Sequence, residues 1–135
     1  MKNEVNTIKE EIIGEILNLN NACLNKNFHE AEKVLSKNFV FNFYEGNTME
    51  RTLQKIIGAK SLPDIFGEID IKRFDQIDYS IKVINSTICI ANKFYIEYIK
   101  EHQLHVRTGT ETFVLHKEPT GWKFDSRTMR FENEE

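Results

Sequence analysis

The sequence predicts an α+β domain, with helices gathered on one side of a strongly curved antiparallel sheet, and three observations carry that expectation. Helical spacing of apolar residues is confined to the N-terminal half, whereas everything after Glu68 alternates with a period of two. The turn signals between those alternating runs are short. Connections that short join antiparallel neighbours, because parallel neighbours need a crossover of about a dozen residues or more. At 135 residues the chain holds about one domain, so 1–135 is read as a single unit.

The elements follow in order. Val5, Ile8, Ile12, Ile16, Leu19 and Cys23 recur at spacings of three and four, which predicts a long first helix with one buried stripe. Asn27 followed by Glu30 has the form of a capping box, so a second helix is expected from there to about Ser36. Phe39, Phe41 and Phe43 alternate with Val40, Asn42 and Tyr44, giving a first strand with an aromatic face. Asn47 and Glu50 repeat the capping signal, and Leu53, Ile56 and Ile57 then suggest a short third helix ending at Gly58. Ser61-Leu62-Pro63-Asp64 could start one more helical turn, closed by Gly67. Four long strands are expected at about 71–84, 88–100, 103–117 and 122–132. Such a bent sheet, closed at one end by a long helix, would leave a conical hollow between the layers.

Composition excludes several classes of function. Hydrophobic residues make 40% and aromatic residues 11%, enough for a packed core, and a charged share of 29% is ordinary for a globular chain. Lys and Arg number 18 against 21 Asp and Glu, a net charge of −3, which argues against broad binding to nucleic acid or an anionic membrane. No apolar run approaches the ~18–20 residues of a membrane span, and MKNEVNTIKEE lacks the apolar core of a secretory signal. A cytoplasmic location is the expectation. Cys23 and Cys89 are too far apart for a redox pair or a clustered metal site and are read as two buried free thiols. His102 and His105 fall on opposite faces of a strand, so no metal site is read, and no cofactor fingerprint, P-loop or nucleophile elbow is present. Asn85-Ser86-Thr87 matches a glycosylation sequon, but its place between two strands makes it a hairpin turn.

Strand alternation sorts the candidate site residues by face. On 103–117, His105, Arg107 and Glu111 share the side marked as inward by Phe113 and Leu115. A carboxylate in an apolar pocket either loses its charge or pairs with an arginine, and a histidine titrates near neutrality, so these three are the candidate catalytic residues. Asn92 and Tyr98 join Ile88, Ile90, Phe94 and Ile96; Tyr79 aligns with Ile77 and Ile81; Ser126, Thr128 and Arg130 follow Trp122 and Phe124. With Phe41 and Phe113 these make the candidate ligand pocket. One bulge would reverse part of any such assignment. The competing readings are a structural Glu111–Arg107 ion pair and a hollow filled by the phenylalanines. The opposite face, with Val106, Thr108, Thr110, Thr112 and Val114 beside Cys89, Ala91 and Tyr95, is rich in β-branched residues and could pair two subunits.

The order of elements resembles the NTF2-like superfamily, which includes the ketosteroid isomerase and SnoaL-type families, and the resemblance covers nearly the whole chain. Its most specific part is Thr110-Glu111-Thr112-Phe113-Val114-Leu115-His116-Lys117, followed by Gly121-Trp122-Lys123-Phe124. The resemblance implies a cone: a curved antiparallel sheet packed on a long N-terminal helix and two shorter helices. It also implies a small, largely apolar ligand in the hollow and acid–base chemistry of isomerase, cyclase or dehydratase type, while the β-branched outer sheet face leads to the expectation of a homodimer. Glu4 to Lys26 contain no tyrosine where isomerase-like members use one, and Arg107 stands two places from Gly109 rather than from an acid as in limonene epoxide hydrolase-like members. A non-catalytic, dimeric association module of the same fold is the alternative.

Overall fold

The computed structural model describes residues 2–45, 53–58 and 66–132. Helix α1 (Lys2–Leu24) is followed by α2 (Phe28–Lys33) and by strands β1 (Leu35–Glu45), β2 (Leu53–Gly58), β3 (Asp70–Ile84), β4 (Thr87–Lys100), β5 (Gln103–Glu118) and β6 (Gly121–Phe131). The strands form one six-stranded sheet in the order β2-β1-β6-β5-β4-β3.

The stripe on α1 is buried over Ile12, Ile16, Leu19 and Cys23, whereas at its start Ile8 is half-buried and Val5 is 40% exposed, so the expected stripe is shorter than its spacing suggests. The helix ends in a Schellman motif, with Asn27 N–H donating to Ala22 O at 2.7 Å and Lys26 N–H to Cys23 O at 3.1 Å. Lys26 takes the left-handed position there, at φ 59°. Asn27 does stand before α2, but its side chain makes no capping bond, and Glu30 pairs with Lys33 at 2.8 Å instead of reaching back. The helix stops at Lys33 because Leu35 already belongs to β1, earlier than the expected strand start.

Two expectations are corrected. Leu53, Ile56 and Ile57 form strand β2, not a third helix, pairing antiparallel with Val40–Glu45. Leu53, Ile56 and Ile57 with Gln54 and Lys55 between them have helical spacing over six residues only, and pairing with the backbone of β1 overrides it. The expected helix start at 47–50 and the turn at 61–64 lie outside the described residues. The sheet is also mixed rather than antiparallel throughout, since β1 runs parallel to β6, Phe41 opposite Arg127 and Phe43 opposite Met129. The intervening β2–β5 segment supplies the long crossover that a parallel pair needs.

The C-terminal meander matches the expected strands closely, with Asn85, Glu101 and His102 taking the positive φ angles of its tight turns. Three bulges decide which side chains of β3 and β6 face inward, the first between Ile71 and Arg73, where β3 gains one residue against β4. Between Ile77 and Ser80 β3 gains one residue against β4, and Asp78 sits there at φ 58°. Between Phe124 and Ser126 β6 gains one against β5, leaving Asp125 unpaired. Each extra residue moves all that follows to the other face. The core lies between α1 and the concave face, where Phe113 and Phe124 meet edge-on at 5.7 Å and fill the narrow end. No helix among the described residues is long and apolar enough to cross a membrane.

Candidate functional site

The bulge at Asp125 turns Arg127 into the core, where its side chain is 4% exposed. A guanidinium does not lose its charge at this depth, so it requires an anion, and β5 supplies one directly across the interior. Arg127 donates from Nε and Nη2 to Glu111 Oε1 at 2.9 and 2.7 Å. The other carboxylate oxygen, Oε2, accepts from Gln76 Nε2 at 2.6 Å and Asn92 Nδ2 at 2.9 Å. Glu111 is 1% exposed, and its two oxygens accept from four N–H groups.

The network continues to the helix. Arg127 Nη1 donates to Asn20 Oδ1 at 2.8 Å, and Asn20 Nδ2 donates to Gln76 Oε1 at 3.0 Å. Tyr79 donates its hydroxyl to the same Gln76 oxygen at 2.8 Å. Burial, and secondarily the negative charge of Glu111, hold the Tyr79 phenol above its ordinary pKa and keep it a neutral donor. Three rings lie against the guanidinium: Phe113 at 4.7 Å, Phe41 at 5.5 Å and Phe74 at 5.6 Å. Together these residues form a neutral polar plug that ties α1 to β3, β4, β5 and β6.

Above the plug a cavity of about 340 Å³ opens toward the wide end of the sheet. Helix α1 lines it with Asn20, Cys23 and Leu24; the strands add Phe43, Ile71, Phe74, Ile96, Tyr98, Met129 and Phe131; Phe66 and Ile69 close one side. Arg127 and Asn20 are its polar floor, and Glu45 and Lys100 stand at its exposed margin. The volume lies at the lower end of the range of small-molecule sites, and an apolar wall with a few convergent polar groups is their usual composition. Phe43, Phe66, Phe74 and Phe131 thus line the cavity without filling it, while Phe113 and Phe124 pack outside its lining. Burial raises the Cys23 thiol above its ordinary pKa, with Arg127 opposing, so the cavity wall there is uncharged.

The residues expected at the site are distributed differently. Glu111 pairs with Arg127 and not with Arg107, and it lies beneath the cavity floor rather than in its lining. Arg107 reaches the outer end of β1, donating to Glu45 Oε1 at 3.1 Å and to the Glu132 carbonyl at 2.9 Å over the Phe131 ring. His105 stacks on Tyr98 at 5.0 Å. The three share a face of β5 but do not converge. Tyr98 lines the cavity; Tyr79 and Asn92 belong to the plug; Phe41 and Phe113 pack on Arg127. Ser126, Thr128 and Arg130 face the opposite side of the sheet, because the Asp125 bulge reverses the alternation counted from Phe124. There Thr128 accepts from Asn42 at 3.1 Å and Arg130 lies over Tyr44 at 4.7 Å. Arg127 and Gln76 were not candidates, since each faces inward only because of a bulge, and Asn20 was hidden in a helix pattern read for its apolar stripe.

Among the described residues no group of three or more His, Cys, Asp or Glu side chains could hold a metal ion. His116 stands between Asp125 and Glu118, but both of its ring nitrogens are taken, Nδ1 at 2.8 Å and Nε2 at 2.7 Å, in hydrogen bonds to those carboxylates.

No protein-family model and no curated protein matches the chain in sequence. Solved structures do match in shape. An NTF2-like protein from Cytophaga hutchinsonii ATCC 33406 superposes with a TM-score of 0.75 at 15% identity, over 90% of this chain and 96% of that one. The chain has an NTF2-like fold. The same NTF2-like cone superposes on the association domain of C. elegans CaMKII, with a TM-score of 0.67 at 14% identity over 92% and 95% of the two chains. It also superposes on the beta subunit of the benzoate 1,2-dioxygenase from Burkholderia mallei ATCC 23344, with a TM-score of 0.70 at 7% identity over 90% and 89%.

Proposed function

We propose that this NTF2-like chain is a cytoplasmic protein that holds a small, largely apolar molecule in the cavity between α1 and the sheet, as a SnoaL-type member of the superfamily. The observation that carries this reading is the cavity of about 340 Å³ with apolar walls and a floor of Arg127 and Asn20. The unpaired Cys23 and Cys89 agree with a reducing compartment. Binding rather than proton transfer is the activity the geometry supports best, because both oxygens of Glu111 are occupied by donors and neither lies in the cavity lining. Ile71 is partly buried in the cavity wall. The variant Ile71→Trp would fill the space. The neutral fluorophore 1-aminoanthracene should bind the unmodified protein and lose that binding in Ile71→Trp with the fold intact; equal binding to both would defeat the reading.

A second reading, an association module, is favoured by the outer face of the sheet. Thr108, Thr110 and Thr112 form an exposed row beside Val106, which is 42% exposed. The similarity in fold to an association domain and to an enzyme subunit supports assembly with other chains, and this exposed face is the surface we assign to it. Sedimentation velocity should then show a dimer that Thr110→Arg converts to monomer; a monomer before substitution would refute it.

A further inference from the structure

The class of ligand can be narrowed, on the reading that the cavity is a binding site, from the hydrogen-bond inventory of its floor. A guanidinium has five N–H donors and no acceptor. Arg127 uses Nε–H and one Nη2 proton on Glu111 and one Nη1 proton on Asn20. One N–H on each terminal nitrogen is left with no protein partner among the described residues, and Arg127 is part of the cavity wall. Asn20 accepts from Arg127 at its oxygen and donates one of its two amide protons to Gln76, so the floor offers one neutral amide N–H beside the charged donor edge of Arg127, the stronger donor of the two. The rings of Phe113, Phe41 and Phe74 lie against the guanidinium, so a ligand meets it along that edge.

Charge distinguishes the possible acceptors. Glu111 already neutralises Arg127 at 2.7 Å. A carboxylate ligand would add a second negative charge beside a paired buried cation, in surroundings where like charges repel strongly. A neutral acceptor needs no counter-charge and satisfies the free N–H groups, which are costly to bury unpaired. We propose that the cavity selects an uncharged apolar molecule carrying a carbonyl oxygen, a ketone, aldehyde or ester, seated with that oxygen on the Nη1/Nη2 edge of Arg127.

Three probes of nearly equal shape separate the possibilities: 2-acetylnaphthalene, 2-ethylnaphthalene and 2-naphthoate, titrated by calorimetry at pH 7.5. The ketone should bind about tenfold or more tighter than the hydrocarbon, the size of one hydrogen bond to a charged donor, and tighter than the carboxylate. In the neutralised pair Glu111→Gln/Arg127→Met the preference for ketone over hydrocarbon should vanish while the hydrocarbon still binds. Equal binding of ketone and hydrocarbon to the unmodified protein, or tightest binding of the carboxylate, overturns the carbonyl inference and leaves the cavity standing. Failure of all three probes to bind overturns the inference together with the cavity reading. Ketone selectivity persisting in the double variant refutes the assignment to Arg127.

Discussion

The Glu111–Arg127 pair makes a prediction whose size follows from its burial. The two side chains are 0% and 4% exposed and joined at 2.7 Å. Arg127→Met leaves the Glu111 carboxylate in the core with Gln76 and Asn92 as donors but no cation. Removing one partner of such a pair costs about 3–5 kcal/mol. Glu111→Gln strands the guanidinium in the same way and belongs in the same range. The double variant Glu111→Gln/Arg127→Met removes both charges and keeps an oxygen for Gln76 and Asn92, so it should be more stable than Arg127→Met alone. Urea unfolding at pH 7 reads all three against the parent, with shifted midpoints and unchanged slopes. By heat, the single variants should lose about 12–20 °C, taking about 4 °C per kcal/mol at this chain length. A loss below about 1 kcal/mol in Arg127→Met, or a double variant losing the full sum of the singles, would refute the description of a dry, mutually dependent pair.

Other consequences are local. Gly109→Ala should destabilise by about 1–3 kcal/mol or more, because its Cβ would overlap the Arg130 carbonyl and come within 2.7 Å of Phe94; a chemical-denaturation midpoint equal to the parent's would contradict this. Lys26→Gly should stabilise by about 1 kcal/mol, since glycine accepts the φ of 59° at the end of α1 without a Cβ clash, and a lowered melting temperature would refute it. His116 carries a raised pKa from its hydrogen bonds to Asp125 and then Glu118. A raised folded pKa stabilises fully below the unfolded value of about 6.5 and loses that contribution as pH rises through the folded value. The melting temperature of His116→Gln should therefore fall furthest below the parent's at pH 5.5–6.5, and the gap should close at alkaline pH; a gap constant from pH 5.5 to 9 would contradict the sign.

Much of this fold is written in local pattern. The stripe of α1 and the β3–β6 hairpins are each set by spacing and turn residues close in sequence, which is why the strand boundaries agree with the structure to one residue and those of α1 to three. Strand β2 is the counterexample: Leu53, Ile56 and Ile57 have helical spacing, but the state of Leu53–Gly58 depends on β1, a partner that spacing does not reveal. The parallel pairing of β1 with β6 is likewise a contact between distant segments. At the candidate site, Glu111 was legible because β5 alternates without interruption from Gln103 to Glu118. Its partner was not, because the inward turn of Arg127 depends on the unpaired Asp125, and that of Gln76 on the left-handed Asp78. Both bulges exist only as mismatches against a neighbouring strand, so face counting chose Arg107 and Arg130 on β5 and β6 where the structure chose Arg127.

The most direct test of the cavity as a ligand site is a set of intermolecular NOEs from bound 2-acetylnaphthalene to protein with labelled Ile and Met methyl groups. The expected result is contact with Ile71, Ile96 and Met129, which line the cavity. Contacts confined to exposed Ile77 and Ile84, with those three methyl groups silent, would contradict it.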